Sequence, residues 1–295
     1  MNLTQVKGNT WVLEGSGLMG LYRLEGDRCI LLDSGEDFER EELAHTLAQA
    51  GLAPVGVLST HIHTDHSINN GWLRREYGCQ VAAPAGEVHL AKSPRALKGY
   101  LYSYTPEELT RIRGEMACPV DCPIPEEDGT FTFCGVPFSI LHTPGHSLDH
   151  LCAVTPDNVC MVGDAVLTGE ESSFKLPYAL FLDQMIYSAG LLLNSRCDAY
   201  ILSHRGVVSD IDPAVEWTQA LLRKRAEEIR SLVDRPMTWE EVWRAVNEHF
   251  CLLSSRVFRA AVMERNLRSF LDYLVDQGKL ERSARRGMIY LSPVK

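Results

Sequence analysis

The sequence predicts an α/β (α+β) fold of layered sheets, mostly antiparallel or mixed, followed by a helical tail. Three observations predict it. Short apolar runs with a β-branched bias recur between turn signals through the first two thirds of the chain. Helical patterns fall between some of these runs. They do not alternate with them one for one, as a doubly wound parallel sheet would require. From Pro213 onward the strand signals give way to long helical patterns.

The elements follow in order. Thr10 to Glu14, Leu18 to Leu24 and Cys29 to Leu32 read as strands, separated by Gly15-Ser16-Gly17 and Glu25-Gly26-Asp27. Asp33-Ser34-Gly35 is expected to open a helix through Ala50, with Leu43, Leu47 and Ala50 on one face and Gly51 as the stop. A buried strand at 55–60, a helix near 69–76 and a strand at Cys79 to Ala83 come next. Residues 93–128 read as an insertion, punctuated by Ser93-Pro94 and the proline-rich Cys118 to Pro125. Within it, Thr105 and Glu108 form a capping box with Pro106 at the first helical position, predicting a helix over 106–116. Strands near 130–134, 137–142, 150–155 and 158–163 complete this part, and Ala199 to Ser203 is a further strand-like run.

The tail begins with a helix from Pro213 to Val233. Thr238-Trp239-Glu240-Glu241 caps a second helix to Phe250, and Ser254/Ser255 cap a third that ends at Gln277-Gly278. Residues 279–282 and 287–291 then read as a hairpin. This layout is winged-helix-like. The third helix carries Arg256, Arg259, Arg265 and Arg268 beside Glu264, Asp272 and Asp276, so a packing or dimerisation role is expected over nucleic-acid reading. The domain boundaries expected are 1–210 and 211–295.

Composition narrows the function classes. With 45% apolar and 23% charged residues the chain reads as an ordinary globular protein. No run approaches the ~18 apolar residues of a membrane helix. Met1 to Gln5 shows no signal-peptide pattern, and a cytoplasmic location is expected. The net charge is −10, and the acid excess lies in the body rather than the tail, which argues against a broad nucleic-acid footprint. Nine scattered cysteines fit reduced, buried thiols rather than a disulfide framework. Cys118 and Cys122 form a pair with no second pair to complete a metal site, and read as a structural loop.

The chemistry concentrates in His61-Ile62-His63-Thr64-Asp65-His66, four possible metal ligands just past a strand end. His146, Asp164 and His204 each follow another strand-like run. Ligands that all trail strands can share one edge of the core.

This pattern, His61-x-His63-x-Asp65-His66 followed by His146, Asp164 and His204, resembles the metallo-β-lactamase-fold hydrolases over about residues 8–210. The resemblance implies a four-layer αβ/βα sandwich with a binuclear site at one edge. It implies that His61, His63 and His146 bind one metal, that Asp65, His66 and His204 bind the other, and that Asp164 bridges both. Two divalent ions are implied, with zinc expected and iron or manganese able to use the same donors. A hydroxide shared between them would attack a small ester-like substrate, with Asp65 orienting it or accepting its proton. Asp33 would orient a ligand imidazole.

Among neighbouring groups, His142 and His150 are expected to make structural hydrogen bonds, and Tyr178 and Tyr187 to line a core or pocket wall. The complete donor set resembles hydroxyacylglutathione hydrolases more than true β-lactamases. The tail resembles relatives with a winged-helix appendage, among them an endoribonuclease and several thioester hydrolases. Two features depart from the usual pattern: Arg205 follows His204, and the 93–128 insertion could form a lid. A thioester, lactone or similar acyl bond is the expected substrate. The alternative is a metal-dependent nuclease or phosphodiesterase, and a more remote one is an iron redox protein.

Overall fold

The computed structural model describes residues 1–99, 104–113 and 116–294. Its first sheet has seven strands in sequence order: β1 (Asn2–Lys7), β2 (Thr10–Glu14), β3 (Leu18–Arg23), β4 (Arg28–Leu32), β5 (Ala53–Leu58), β6 (Gln80–Pro84) and β7 (Cys122–Ile124). The first four pair antiparallel as a meander, and β4 through β7 pair parallel. The helices that follow or connect them are α1 (Arg40–Gln49), α2 (Thr64–Ser67), α3 (Asn70–Tyr77), α4 (Val88–Lys92) and α5 (Pro106–Arg113). The second sheet contains β8 (Gly129–Phe133), β9 (Val136–His142), β10 (Leu151–Val154), β11 (Val159–Gly163), β12 (Ala199–Leu202) and β13 (Gly206–Val208). In it β11 and β12 run parallel, while the other neighbours are antiparallel.

Four layers follow from which residues touch. Ile30, Leu32 and Leu58 face Phe138, Met161 and Ile201 between the sheets. Their sequence neighbours Leu31 and Val57 point the other way, onto Leu43 and Leu47 of α1. A strand buried on both faces must be apolar at every position, so Cys29-Ile30-Leu31-Leu32 has no polar break. Beyond the second sheet, Cys160, Val162 and Tyr200 pack on Ala189 of α6 (Leu182–Leu191) and Val215 of α7 (Asp212–Leu232). The order is helix, sheet, sheet, helix, the expected αβ/βα sandwich.

The tail adds α8 (Trp239–His249), α9 (Val257–Asp276) and a three-stranded sheet of β14 (Met237–Thr238), β16 (Met288–Pro293) and β15 (Leu280–Arg285), ordered β14-β16-β15. Thr238 and Glu241 cap α8 reciprocally, as their spacing predicts. The tail's core is continuous with the body. Leu176, Ala179, Leu182 and Met185 pack in the same cluster as Leu222, Ile229, Phe270 and Leu274. Buried Asn266 fastens α9 to residues 176–179: its side chain accepts from Ala179 N (3.0 Å) and donates to the carbonyls of Leu176 (3.2 Å) and Pro177 (2.8 Å).

Several elements differ from the sequence expectation. The helix expected from Asp33 begins only at Arg40, after a 3-10 turn at Asp37–Glu39. Asp33 (φ 63°) and Gly35 (φ 66°) are both left-handed, which a right-handed helix does not accept. The 106–116 helix is seen to Arg113, and residues 114–115 lie outside the described residues. Strands β1, β7, β13 and β14 and helix α6 carry no strong local signal and were not expected.

Asn266→Ala leaves a buried N–H and two buried carbonyls without partners. It should cost about 2–3 kcal/mol, read as a lower urea midpoint; an unchanged midpoint would contradict the anchoring role.

Candidate metal centre

Strand direction explains why distant donors meet. In the second sheet β9 is antiparallel to β10, and β10 to β11, so β9, β11 and β12 all point one way. Their ends release His146, Asp164 and His204 at the same edge. The end of β5 releases residues 59–66 there too, and Leu151 N donates to Thr60 O (3.0 Å) across the two sheets.

Asp33, at the end of β4, organises the His run. Its buried carboxylate accepts from Thr60 N (2.7 Å), from Thr60 Oγ1 (2.9 Å) and from His66 Nδ1 (2.8 Å). Because the Thr60 hydroxyl donates to Asp33, its oxygen accepts from His61 Nδ1 at 3.1 Å. Both imidazoles therefore carry their proton on Nδ1 and turn Nε2 into the site. Glu87, in the short turn after β6, does the same for the backbone. Its two oxygens accept from Ile62 N (2.6 Å) and Asp149 N (3.0 Å), tying the two His loops together. His150 accepts from Asp164 N at 3.0 Å through Nε2 and meets Thr143 Oγ1 at 2.9 Å through Nδ1. His142 pairs with Asp149.

Two glycines let these loops close. A Cβ on Gly145 (φ 131°) would lie 2.1 Å from Met185 N, the backbone of α6. A Cβ on Gly163 (φ 57°) would lie 2.6 Å from His150 Nε2 and 2.8 Å from Thr60 Oγ1. The residues preceding His146 and Asp164 thus need glycine for space as well as for backbone angle.

All seven candidate donors come together in two groups. His61, His63 and His146 form one, and Asp65, His66, Asp164 and His204 the other. His63 Nδ1 lies 3.0 Å from both His61 Nε2 and His146 Nε2. Asp164 faces both groups. Its Oδ2 is 3.2 Å from His146 Nε2, while its Oδ1 is 3.2 Å from His204 Nε2 and 3.5 Å from His66 Nε2.

These donors fit divalent metal ions. Three imidazole nitrogens converge in one group, and two imidazoles with two carboxylates in the other, the nitrogen and oxygen set that borderline metals take. His66 Nε2 is buried with no hydrogen-bond partner, a group a ligated ion would satisfy.

The electrostatics of the two groups differ. Burial, with neighbouring imidazoles, holds His61 and His63 well below the usual histidine range. Burial also lowers His146, against the pull of Asp164. Burial pulls His66 down too, but Asp164 and Asp33 overcome it and hold it well above its usual value. Hydrogen bonding to Asp164 raises His204. Asp164 stays ionised despite burial because His66 and His146 surround it.

Beside the donors lies a cavity of about 250 Å³. Tyr178 lines it, its ring centroid 5.4 Å from His63 and 5.2 Å from His146. Residues of the 93–128 segment (Leu97, Arg113, Met116) and of α9 (Phe258, Val262, Arg265) complete the wall. Tyr187 is exposed on α6, and Arg205 is exposed; neither is part of that wall. Among the described residues, Cys118 and Cys122 join no cluster of possible ligands. Glu87 was missed by sequence reasoning, although its place just past the end of β6 follows the rule that found the donors.

A double-sheeted sandwich with His and Asp donors gathered past its strand ends defines a class of metal-binding fold. Residues 12–229 match the family model of the Metallo-beta-lactamase superfamily, and the chain belongs to that superfamily. It is 34% identical over 112 residues to a hydroxyacylglutathione hydrolase of Thiobacillus denitrificans, covering 38% of this chain and 33% of the relative. It is 25% identical over 227 residues to an atrochrysone carboxyl ACP thioesterase of Aspergillus fumigatus, covering 74% of this chain and 45% of the relative. The chain thus spans less than half the length of these two curated relatives. Among solved structures, a metallo-beta-lactamase family protein from Thermus thermophilus superimposes with a TM-score of 0.71 at 22% identity, covering 94% of each chain.

Two outcomes test the centre. Near neutral pH the first group has no proton to displace, whereas His66 and His204 must give theirs up. Lowering the pH from about 8 to about 6 should therefore weaken metal binding at the second group more steeply than at the first. Equal slopes in a metal titration would contradict the assignment. Asp33→Asn, which loses an ionised acceptor for His66, should lower metal affinity by about 10–100-fold, measured by chelator competition.

Proposed function

We propose that this chain is a metal-dependent hydrolase of small acyl substrates, thioesters first. The observation that carries this reading is Asp164, whose two oxygens face the two donor groups separately at the floor of a largely apolar cavity. His61, His63 and His146 would hold one ion, Asp65, His66 and His204 a second, with Asp164 shared. Zinc suits the donors best, and iron or manganese can use the same nitrogens and oxygens. When bound, such ions acidify water to near neutral pH and polarise an acyl oxygen.

The chain's own groups do the rest. Asp33 and Thr60 fix the imidazoles of His66 and His61, so these two donors are already turned toward the centre. Asp65 is the more exposed carboxylate of the site, with Oδ2 3.6 Å from His66 and 3.7 Å from His204. There it orients the attacking water and takes its proton. The water oxygen bonds to the acyl carbon, the carbon–sulfur bond breaks, and the proton passes to the departing thiolate.

The relatives' names support a thioester. One is named for hydrolysing hydroxyacylglutathione and the other as an ACP thioesterase, and both names describe acyl groups carried on sulfur.

The test pairs metal analysis with a substrate panel: a thioester, a lactone, a phosphodiester and single-stranded RNA. The wild type should hold two ions and turn over the thioester fastest. His66→Ala should lose the second ion and at least about 100-fold in kcat/KM. Full activity in that variant, or preferential cleavage of RNA or the phosphodiester, would overturn the reading.

A further inference from the structure

We propose that the acyl group of the substrate is an uncharged, apolar chain of about six to eight carbons, and that Phe258 of α9 sets its upper length. This rests on the thioester reading above and adds the chemistry of the acyl group and the residue that measures it.

Among the described residues the cavity wall offers no unmatched charge. His63, Asp65, His146 and Asp164 belong to the donor groups. Glu87 is buried, and the backbone N–H groups of Ile62 and Asp149 occupy its two oxygens. Arg265 stacks over Tyr178 and Arg113 over Phe258, and neither guanidinium is without a partner. The rest of the wall is mostly apolar, and Leu97, Leu148, Leu180, Phe258 and Val262 are each only half-buried there. A carboxylate carried against these side chains would lose its water without gaining a partner. An alkyl chain would instead cover apolar surface that the fold leaves bare.

The wall is continuous and of limited length. Leu90 and Met116 pack in a cluster with Ile62, beside the donors, while Phe258 and Val262 pack in another with Leu109; Leu97 touches both clusters. Phe258, Val262 and Arg265 all line the cavity from α9. The Arg265 end adjoins the centre, because the Tyr178 ring beneath it also meets His63 and His146. Phe258 lies seven residues earlier on the same helix, about 10 Å along the axis, and so marks the far end. The cavity volume is about 250 Å³. At ~30 Å³ for a group the size of a water or a methylene, that is room for about eight such groups, of which the reacting carbonyl takes a share.

The experiment uses the metal-loaded full chain with N-acetylcysteamine thioesters of even-numbered acyl chains from acetyl to dodecanoyl, and with the suberyl thioester, which replaces the terminal methyl of octanoyl by a carboxylate. In the wild type kcat/KM should rise about fourfold per methylene up to hexanoyl or octanoyl and then stop rising. Octanoyl should exceed suberyl by about tenfold or more. Phe258→Ala should move the optimum to longer chains and Val262→Trp to shorter ones. A merely structural effect would instead lower every chain length alike. A flat wild-type profile, a suberyl rate equal to the octanoyl rate, or an optimum that neither variant moves would overturn the proposal. Calorimetry with acetate, octanoate and suberate tests the pocket without turnover, and octanoate should bind tightest. If no thioester is cleaved but octanoate binds tightest, the thioester reading fails and the apolar pocket stands. If all the thioesters are cleaved alike and octanoate binds no better than acetate, the reading stands and the pocket proposal falls.

Discussion

The geometry of the site depends on one buried carboxylate. Asp33 accepts from the backbone and hydroxyl of Thr60 and from the imidazole of His66, joining the ends of β4 and β5 to the helix turn that follows. Through the Thr60 hydroxyl it also sets the tautomer of His61. A buried charge with fewer partners would be costly; with these it becomes the fixed point from which the ligand loop is hung. Its left-handed backbone delays α1, so the same residue that organises the donors also explains why the next helix starts late. Glu87 plays the matching part on the other side, where one carboxylate spans the loops of His63 and His146.

The candidate donors and the wall of the cavity beside them come from different parts of the chain. The candidate donors lie on the sandwich, past the ends of strands that share a direction. The cavity beside them is finished by the 93–128 segment and by α9, which meet where Leu109 and Tyr104 pack near Ala261 and Phe258. The tail therefore forms part of the pocket wall. Its arginines sort accordingly: Arg265 lines the cavity, whereas Arg268 lies over Trp239.

The sandwich was legible in the sequence because its strands are short apolar runs bounded by glycine-rich turns, and most fall within two residues of the expected spans. The donors were legible for a related reason: each trails a strand, and strand ends are where a layered fold collects side chains. What escaped is what tertiary contact alone decides. Strand β1 is largely exposed and β7 is three residues long, so neither carries an apolar period. Asn266 looks like any polar residue in a helix until its three backbone partners, from residues 176–179, are in place. Phe258, Val262 and Arg265 show helical spacing, but nothing local says which surface that face will meet. Tyr178 and Tyr187 stand in similar apolar surroundings in the sequence, yet one reaches the donors and the other points to solvent.

The order in which the site is assembled follows from where its parts lie along the chain. Every candidate donor precedes residue 205, while the α9 wall and its Asn266 anchor come from residues 257–276. Synthesis proceeds from the N-terminus, and domains tend to fold as they emerge. The sandwich can gather its seven donors while the last helices are still being made. The candidate donors are therefore gathered before the wall of the cavity beside them is complete, and a copy ending before α9 would leave that cavity open on the side of Phe258, Val262 and Arg265.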